Sequence, residues 1–435
     1  MSAAVETAEA LARRLGAARG WRLVASSVQS VDVGMDDSKL GGDYRPPRAT
    51  GEVVGSVFVI WEDGRVSRGR IDGRTLGRLP RDIELWRSLA YRDDDAAHIA
   101  ELVPPTQVEL FDPRVADIVT GNAGPMFEAI SQIAAAAREA GADVIDAGVS
   151  CSAAETVIAS SNGLWVKYPE TNIRCLWGID KTMSGIKLGK DRETLTGLAN
   201  AVTAVGRLAQ AAKVRVAAAS RDMRVVLTPR AVEYFIGHYI MHNLSGENVA
   251  EGRSRYSLEQ FRERERVFRD DIGLTLDTAI PMGSGSYLCT PEGVPSGRVA
   301  LIEGGQLATP ILNIKYARRS RMAPTSIPAM GMPPGHAGLT LGAQNMEDWL
   351  QLIAGARDTI LVDSVLGMHT QDPTTGNYSL AVPDGIVVRD GQFAGAAKVV
   401  ISGNFFSALS DADTRFGLSG DHPNPGIELA CHVEG

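Results

Sequence analysis

Cysteine is scarce in this 435-residue sequence, and the cysteines that occur are isolated. None of the four forms a CxxC pair: they are Cys151, Cys175, Cys289 and Cys431. This excludes a zinc-ribbon arrangement and is typical of proteins from a reducing compartment.

Long hydrophobic runs are also absent. No segment approaches the roughly 18 consecutive apolar residues that a membrane-spanning helix needs. Residues 1–21 alternate in charge and have no apolar centre, which argues against a signal peptide. The formal net charge of -8 and the lack of a basic stripe argue against nucleic-acid or membrane binding. We therefore expect a cytoplasmic protein.

Hydrophobic patterns predict helices and strands without regular β-α-β alternation. The Ala-rich segment 122–141 predicts a helix, with Pro125 near its start and Gly141 after it. Residues 155–168 predict a hairpin around Ser161-Asn162-Gly163, and residues 384–404 predict a second strand pair around the Asp390-Gly391 turn. Two further helices are predicted over 192–214 and 346–356, and the Pro and Gly content of 325–338 predicts a loop. The expected fold class is α+β, with a mixed N-terminal domain (1–220) and a strand-rich C-terminal domain (221–435).

Two histidines, His238 and His242, lie four residues apart in a predicted helix that begins at Thr228-Pro229. Residues with this spacing project from one face of a helix, as two zinc ligands would. A zinc peptidase also needs a third ligand and a carboxylate base, and Tyr239 follows the first histidine where a base would stand. Packing or hydrogen bonding within the helix is the simpler interpretation, and no metal site is favoured here.

A second polar cluster lies in a predicted loop, LGMHTQDPTTGNYS, at residues 366–379. Its His369, Thr370 and Asp372 could contact a substrate. Asp372-Pro373 is equally a good turn initiator. Both interpretations, structural and substrate-binding, remain open.

Five segments in this order resemble the TldD/PmbA family, proteins once called modulators of DNA gyrase. The segments are VIASSNGLWVKY (157–168), LSGENVAEGRS (244–254), EGVPSGRVALIEGGQL (292–307), LGMHTQDPTTGNYSL (366–380) and DGIVVRDGQFAGAAKVVISGN (384–404). The resemblance implies a two-subunit metallopeptidase. Its TldD-like subunit holds a metal, zinc or a similar divalent ion, through HExxxH and a downstream cysteine. Its TldE-like subunit has the same fold without those ligands, and an extended peptide passes between the two.

This sequence departs from the metal-binding pattern. If His242 takes the second histidine position of HExxxH, the first falls on Gly237 and the glutamate on His238. The cysteine position falls in FGLSGD, residues 416–421, which contains no cysteine. The resemblance is therefore to the TldE/PmbA branch.

Membership of that branch implies a specific partner and no cofactor in this chain. The partner is a TldD-like chain carrying HExxxH and the metal, and the substrate is a peptide or a peptide-like amide of a modified natural product. The 366–379 loop, with His369, Thr370 and Asp372, becomes a candidate for the substrate channel. A homodimer is possible when the partner is absent.

Two alternatives to a partner subunit follow from the same residues. One is a self-sufficient metal hydrolase that uses His238 and His242, with Glu233 or Glu247 as the base. The other is a regulatory protein-binding module that controls another assembly.

Overall fold

A computed structural model describes residues 2–41, 47–326, 339–343, 346–420 and 422–435. The loop predicted at residues 325–338 lies almost wholly outside these ranges. No helix within them combines the length and the apolar character needed to span a lipid bilayer.

Strands occur in both halves of the chain, and the longest ones lie in the N-terminal half. They are β1 Gly20–Asp36, β2 Lys39–Leu40, β3 Arg48–Ile60, β4 Val66–Asp72, β5 Ile145–Ser160, β6 Trp165–Ile179, β7 Met183–Gly189, β8 Arg221–Leu227, β9 Gly273–Asp277, β10 Arg298–Glu303, β11 Gln306–Leu307, β12 Leu339–Gly342, β13 Glu347–Asp348, β14 Asp358–Val362, β15 Asn377–Arg389, β16 Gln392–Asn404, β17 Arg415–Leu418 and β18 Gly426–Glu434.

Helices are distributed between these strands. They are α1 Ala3–Arg14, α2 Thr75–Ser88, α3 Pro113–Thr120, α4 Gly124–Glu139, α5 Leu198–Ala212, α6 Pro229–Phe235, α7 His242–Leu244, α8 Gly246–Ala250, α9 Leu258–Arg262, α10 Ile314–Ser320, α11 Leu350–Ala354 and α12 Phe405–Ser410. Short 3-10 turns cover Arg192–Leu195 and Met368–Thr370, and a π-helical turn covers Ile236–Met241. The predicted α+β class is confirmed.

The N-terminal half forms one long antiparallel sheet in the order β4-β3-β1-β5-β6-β7, with β2 paired to the end of β1. The predicted hairpin is confirmed as β5 and β6, with Gly163 at a φ of 100° in the turn. Both strands extend well beyond the predicted residues, because the sheet continues across β1 along almost the whole of β5.

Helices cover one face of this sheet. Side chains alternate between the two faces along a strand. Odd-numbered residues of β1 such as Leu23 and Ala25 pack with α1 and α2, and Val33 packs with α3, α4 and α5 further along. Arg22 and Val24 therefore lie on the opposite face, where the C-terminal half approaches.

The C-terminal half is built around a closed ring of five strands. Strand β8 pairs in parallel with β14 and antiparallel with β18, and β16 and β15 complete the ring between those two strands. The hairpin of β15 and β16, predicted from the Asp390-Gly391 turn, is confirmed. Strands β17 and β13 extend the sheet, and β11-β10-β9-β12 form a separate small sheet.

An apolar core joins the two halves. Val226, Leu361 and Ile386 from the strand ring are buried in one cluster with Ile133 of α4 and Val202 of α5. Strand β8 begins at Arg221, after the segment that follows α5. The domain boundary at residue 220 stays a prediction.

Two predicted helices are shorter in the structure. The pattern over 192–214 is interrupted at Gly197, which has a φ of 65° and separates the 3-10 turn from α5. The pattern over 346–356 forms helix only from Leu350, because Glu347–Asp348 pairs as a strand with β17.

Candidate functional site

The predicted histidine-bearing helix exists and begins where the sequence indicates. The hydroxyl oxygen of Thr228 accepts a hydrogen bond from the Ala231 amide at 3.2 Å, and Pro229 occupies the first turn. After α6 the helix widens into the π turn at Ile236–Met241 and continues as α7. Turns of this kind inside helices are frequent at functional sites.

Aromatic packing holds one face of this helix in the core. Phe235 and Tyr239 are fully buried, and Phe405 of α12 lies 5.0 Å from the Phe235 ring centre and 6.0 Å from the Tyr239 ring centre. The Tyr239 hydroxyl donates a hydrogen bond of 2.9 Å to the carbonyl oxygen of Asn377. The helix is therefore fixed against β15 at the end of the 366–379 loop.

His238 contacts the 366–379 loop through its ring. Its Nε2 lies 3.1 Å from the carbonyl oxygen of Gln371, and its ring meets Tyr239 edge to face at 4.7 Å. A carbonyl oxygen only accepts, so Nε2 carries the proton and donates. Burial lowers the pKa of His238, against the opposing effect of this hydrogen bond.

His242 contacts a different segment of the chain. Its Nε2 lies 3.1 Å from the carbonyl oxygen of Arg253, so this ring also donates through Nε2. In this arrangement the two Nε2 atoms are not available as a pair of metal ligands. Across the described ranges, no group of three or more His, Cys, Asp or Glu side chains has a geometry suited to a metal ion.

Asn243, which sequence reasoning missed, joins these segments. It is fully buried, and its Nδ2 donates to the carbonyl oxygens of Tyr239 at 2.7 Å and Pro373 at 2.8 Å. Its Oδ1 accepts from the Arg255 amide at 2.6 Å. The available signal was an asparagine inside a predicted helix, a position that asparagine disfavours unless its side chain has a specific use.

The three channel candidates lie on the surface of the loop beside this helix. His369 and Thr370 belong to the exposed 3-10 turn, and Asp372 is exposed after it. The carboxylate of Asp372 accepts hydrogen bonds from the hydroxyl of Thr374 at 2.7 Å and its amide at 2.8 Å, and these lower the pKa of Asp372. The structure therefore brings this loop and the histidine helix together, with His369 and Asp372 open to solvent.

The two glutamates considered as bases are paired with other groups. The Glu233 carboxylate lies 3.3 Å from Nε2 of His422, and the Glu247 carboxylate lies 2.8 Å from Nη2 of Arg253. The first pair joins α6 to the segment before β18.

A buried carboxylate beside this pair was not predicted. Asp363, directly after β14, accepts from the Thr228 hydroxyl at 2.9 Å and lies 3.1 Å from the Arg230 guanidinium. Burial raises the pKa of Asp363. Arg230 also donates to the carbonyl oxygen of Ser184 in β7, so this cluster fastens the ring of strands to the N-terminal sheet.

Comparison with known families identifies the C-terminal half. Residues 220–416 match the family model described as the PmbA/TldA metallopeptidase C-terminal domain. An uncharacterised protein of Methanocaldococcus jannaschii is 23% identical over 194 residues. That match covers 43% of this chain and 44% of the relative, so it spans less than half of either protein.

Solved structures share the fold over the full length. The TldE structure from Thermococcus kodakarensis aligns over 100% of both chains with a TM-score of 0.80 and 15% identity. A candidate modulator of DNA gyrase from Thermotoga maritima aligns over 99% of this chain and 100% of its own, with a TM-score of 0.76 and 17% identity. A similar candidate from Bacteroides thetaiotaomicron covers 99% and 98%, with a TM-score of 0.73 and 15% identity.

Proposed function

Because this chain belongs to the TldD/PmbA family and has a TldE-like fold, we propose that it is the subunit without the catalytic metal in a two-subunit metallopeptidase-type hydrolase. Its partner is a TldD-like chain that carries HExxxH and a zinc or similar divalent ion. This chain alone is inactive and completes the assembly.

The main support for the proposal is the hydrogen bonding of His238 and His242, which occupies in each ring the Nε2 atom that a metal would need. Nε2 of His238 and Nε2 of His242 each donate to a main-chain carbonyl, one in the 366–379 loop and one at Arg253. Both rings thereby act as cross-links between segments. This favours the partner role over the alternative of a self-sufficient hydrolase.

The proposed contribution of this chain to catalysis is to position substrate. The exposed His369, Thr370 and Asp372 lie on a loop held by the helix beneath it, through Asn243 and Tyr239. A fixed loop with exposed donors and acceptors suits recognition of an extended peptide main chain, which requires little side-chain specificity.

Co-expression tests the proposal. The chain purified alone, free of chelator and affinity-tag nickel, should contain far less than one equivalent of zinc and hydrolyse no peptide. Co-purification with a TldD-like chain should produce activity, and the double variant His238→Ala, His242→Ala should leave the metal content of the complex unchanged. Stoichiometric zinc in the isolated chain that is lost in the double variant, together with activity, would instead assign the enzyme to this chain.

The substrate-positioning role has its own test in the active complex. His369→Ala should raise KM more than it lowers kcat, because the lost contact is made equally in the ground state and the transition state. The matched control is His432→Ala, which removes an exposed histidine paired with Asp222 at 2.8 Å on β18. Equal effects of the two substitutions would argue against a role for His369 in the channel.

A further inference from the structure

A cavity of about 670 Å³ lies between the N-terminal sheet and the C-terminal half. Strands β1, β3 and β4 form its floor on the face not covered by helices, and residues 290–292 and 313–316 contribute its walls. No residue of the 366–379 loop lines it. Its size falls in the range of sites for small ligands.

A buried ion pair holds floor and wall together. Arg22 is 8% exposed, and its Nη2 donates to Glu292 at 2.7 Å, while its Nη1 donates to the carbonyl oxygen of His98 at 3.0 Å. The second carboxylate oxygen of Glu292 accepts from the Ile314 amide at 2.8 Å. Arg22 and Glu292 are therefore satisfied by each other and by the main chain, and their charges cancel.

The other charged groups of the walls are also paired. Nζ of Lys315 lies 2.8 Å from the carboxylate of Asp93, and Glu247 is paired with Arg253. Each positive or negative group is thereby compensated within the protein.

Arg68 is the exception among the charged residues of this cavity. Its guanidinium lies 5.9 Å from the centre of the Phe58 ring, which the Arg22 guanidinium also faces at 4.0 Å. Within the described ranges no carboxylate forms an ion pair with Arg68. The cavity therefore presents one guanidinium that has no direct ion-pair partner, although the carboxylate of Asp93, which is paired with Lys315, lies near enough to feel its charge. The Arg68 side chain is exposed.

We propose that this cavity binds the C-terminal end of a short peptide, with the terminal carboxylate on Arg68. The planar guanidinium fork matches a carboxylate in a two-point hydrogen bond. A single guanidinium without a direct ion-pair partner suits a single carboxylate, because one two-point contact satisfies both groups. The choice of a peptide over other carboxylates rests on the proposed function.

The walls also offer partners for a peptide main chain. Ser56 and the side-chain amide nitrogen of Asn313 can form hydrogen bonds with a ligand in the cavity. Oδ1 of Asn313 already accepts from the Tyr316 amide. Oγ1 of the buried Thr290 already accepts from the amides of Glu292 and Val294. The Phe58 ring is buried at 5% exposure and supports the Arg22 and Arg68 guanidinium groups from below. The affinity for the peptide should therefore depend on the charge of its terminal carboxylate. The neutral groups contact the main chain, so binding should depend little on the peptide's sequence.

Calorimetric titration of the purified full chain tests this inference. The probes are acetylated tripeptides ending in Ala, Leu or Lys, each as the free acid and as the C-terminal amide. We expect the acids to bind and the amides to bind at least about tenfold more weakly, as for loss of a charge-assisted hydrogen bond. Arg68→Gln should weaken binding of the acids to the level of the amides, and Arg68→Lys should restore part of it.

Arg70→Gln is the matched control, because Arg70 lies on the same face of β4 two residues further along and does not line the cavity. It should bind the acids as the unmodified chain does. Equal binding of acid and amide, an unchanged affinity in Arg68→Gln, or no binding of any acid below about 1 mM would overturn the inference. Displacement of the peptide acid by equimolar inorganic phosphate would assign the site to phosphate and overturn it as well.

This measurement is independent of hydrolysis. Acid-specific binding that depends on Arg68, combined with no activity after co-expression with a TldD-like chain, would retain the cavity site and reject the proposed function. Activity with the partner chain but equal binding of acids and amides would reject the cavity site alone.

Discussion

Replacement of Asn243 by alanine should loosen the 366–379 loop without unfolding the protein. The substitution removes three short hydrogen bonds that tie Tyr239, Pro373 and Arg255 together. A typical hydrogen bond contributes about 1 kcal/mol net, so the expected loss is about 3 kcal/mol, and more if the Arg255 amide finds no new acceptor. At 1.4 kcal/mol per factor of ten, local opening should become about 100-fold more frequent.

Hydrogen–deuterium exchange read by mass spectrometry measures this opening directly, because exchange of protected amides follows the free energy of local opening. Peptides that cover 253–257 and 371–379 should exchange about 100-fold faster in Asn243→Ala, while peptides from β5 stay unchanged. Asn248→Ala is the control: its Nδ2 makes a single bond of 2.9 Å to the carbonyl oxygen of His242, so an effect of about fivefold is expected.

An equal, small acceleration in Asn243→Ala and Asn248→Ala would refute the conclusion that Asn243 organises the loop. Acceleration spread over β5 as well would indicate a global loss of stability, which the local hydrogen bonds do not account for.

Four further substitutions have defined outcomes. Burial lowers the pKa of His238, so the neutral ring contributes stability above the ordinary histidine pKa of about 6.5, and this contribution is lost as pH falls below it. The urea midpoint of unfolding should therefore change less between pH 8 and pH 5 in His238→Gln than in the unmodified chain. Gly376 has a φ of 76°, and a Cβ there would lie 2.3 Å from a buried ring, so Gly376→Ala should cost about 2–4 kcal/mol in urea unfolding. Gly237→Ala, with open space around it, should cost nothing or stabilise by up to about 1 kcal/mol. Arg230→Met leaves Asp363 buried without its cation and should lower the unfolding free energy by roughly 3–5 kcal/mol, part of which Asp363→Asn should restore in the double variant.

Local chemistry made several elements predictable. The Ser161-Asn162-Gly163 turn, the Thr228-Pro229 helix start and the Asp390-Gly391 turn each depend on a few adjacent residues, and each lies where it was predicted. The break at Gly197 was missed because the flanking Ala and Leu residues have strong helical propensity.

Contacts between distant segments were beyond this kind of prediction. The histidine helix and the 366–379 loop were each singled out, but nothing local indicated that His238 contacts Gln371, 133 residues away. The cavity is a sharper case. Arg22 and Arg68 belong to none of the segments singled out in the sequence, and Glu292 begins the 292–307 segment without any sign of a charged partner; the three converge only when the two halves assemble.

The ring of strands has a consequence for synthesis on the ribosome. Strand β8 needs β18 as its second neighbour, and about 200 residues separate Leu227 from Gly426. At 5–20 residues per second, β8 waits roughly 10–40 s for β18, and its other edge waits for β14, which begins about 130 residues after Leu227. During that interval the nascent chain exposes a template for pairing with other chains. We expect it to depend on chaperones more than the N-terminal sheet does, in which the longest separation between paired strands is about 110 residues, from β1 to β5.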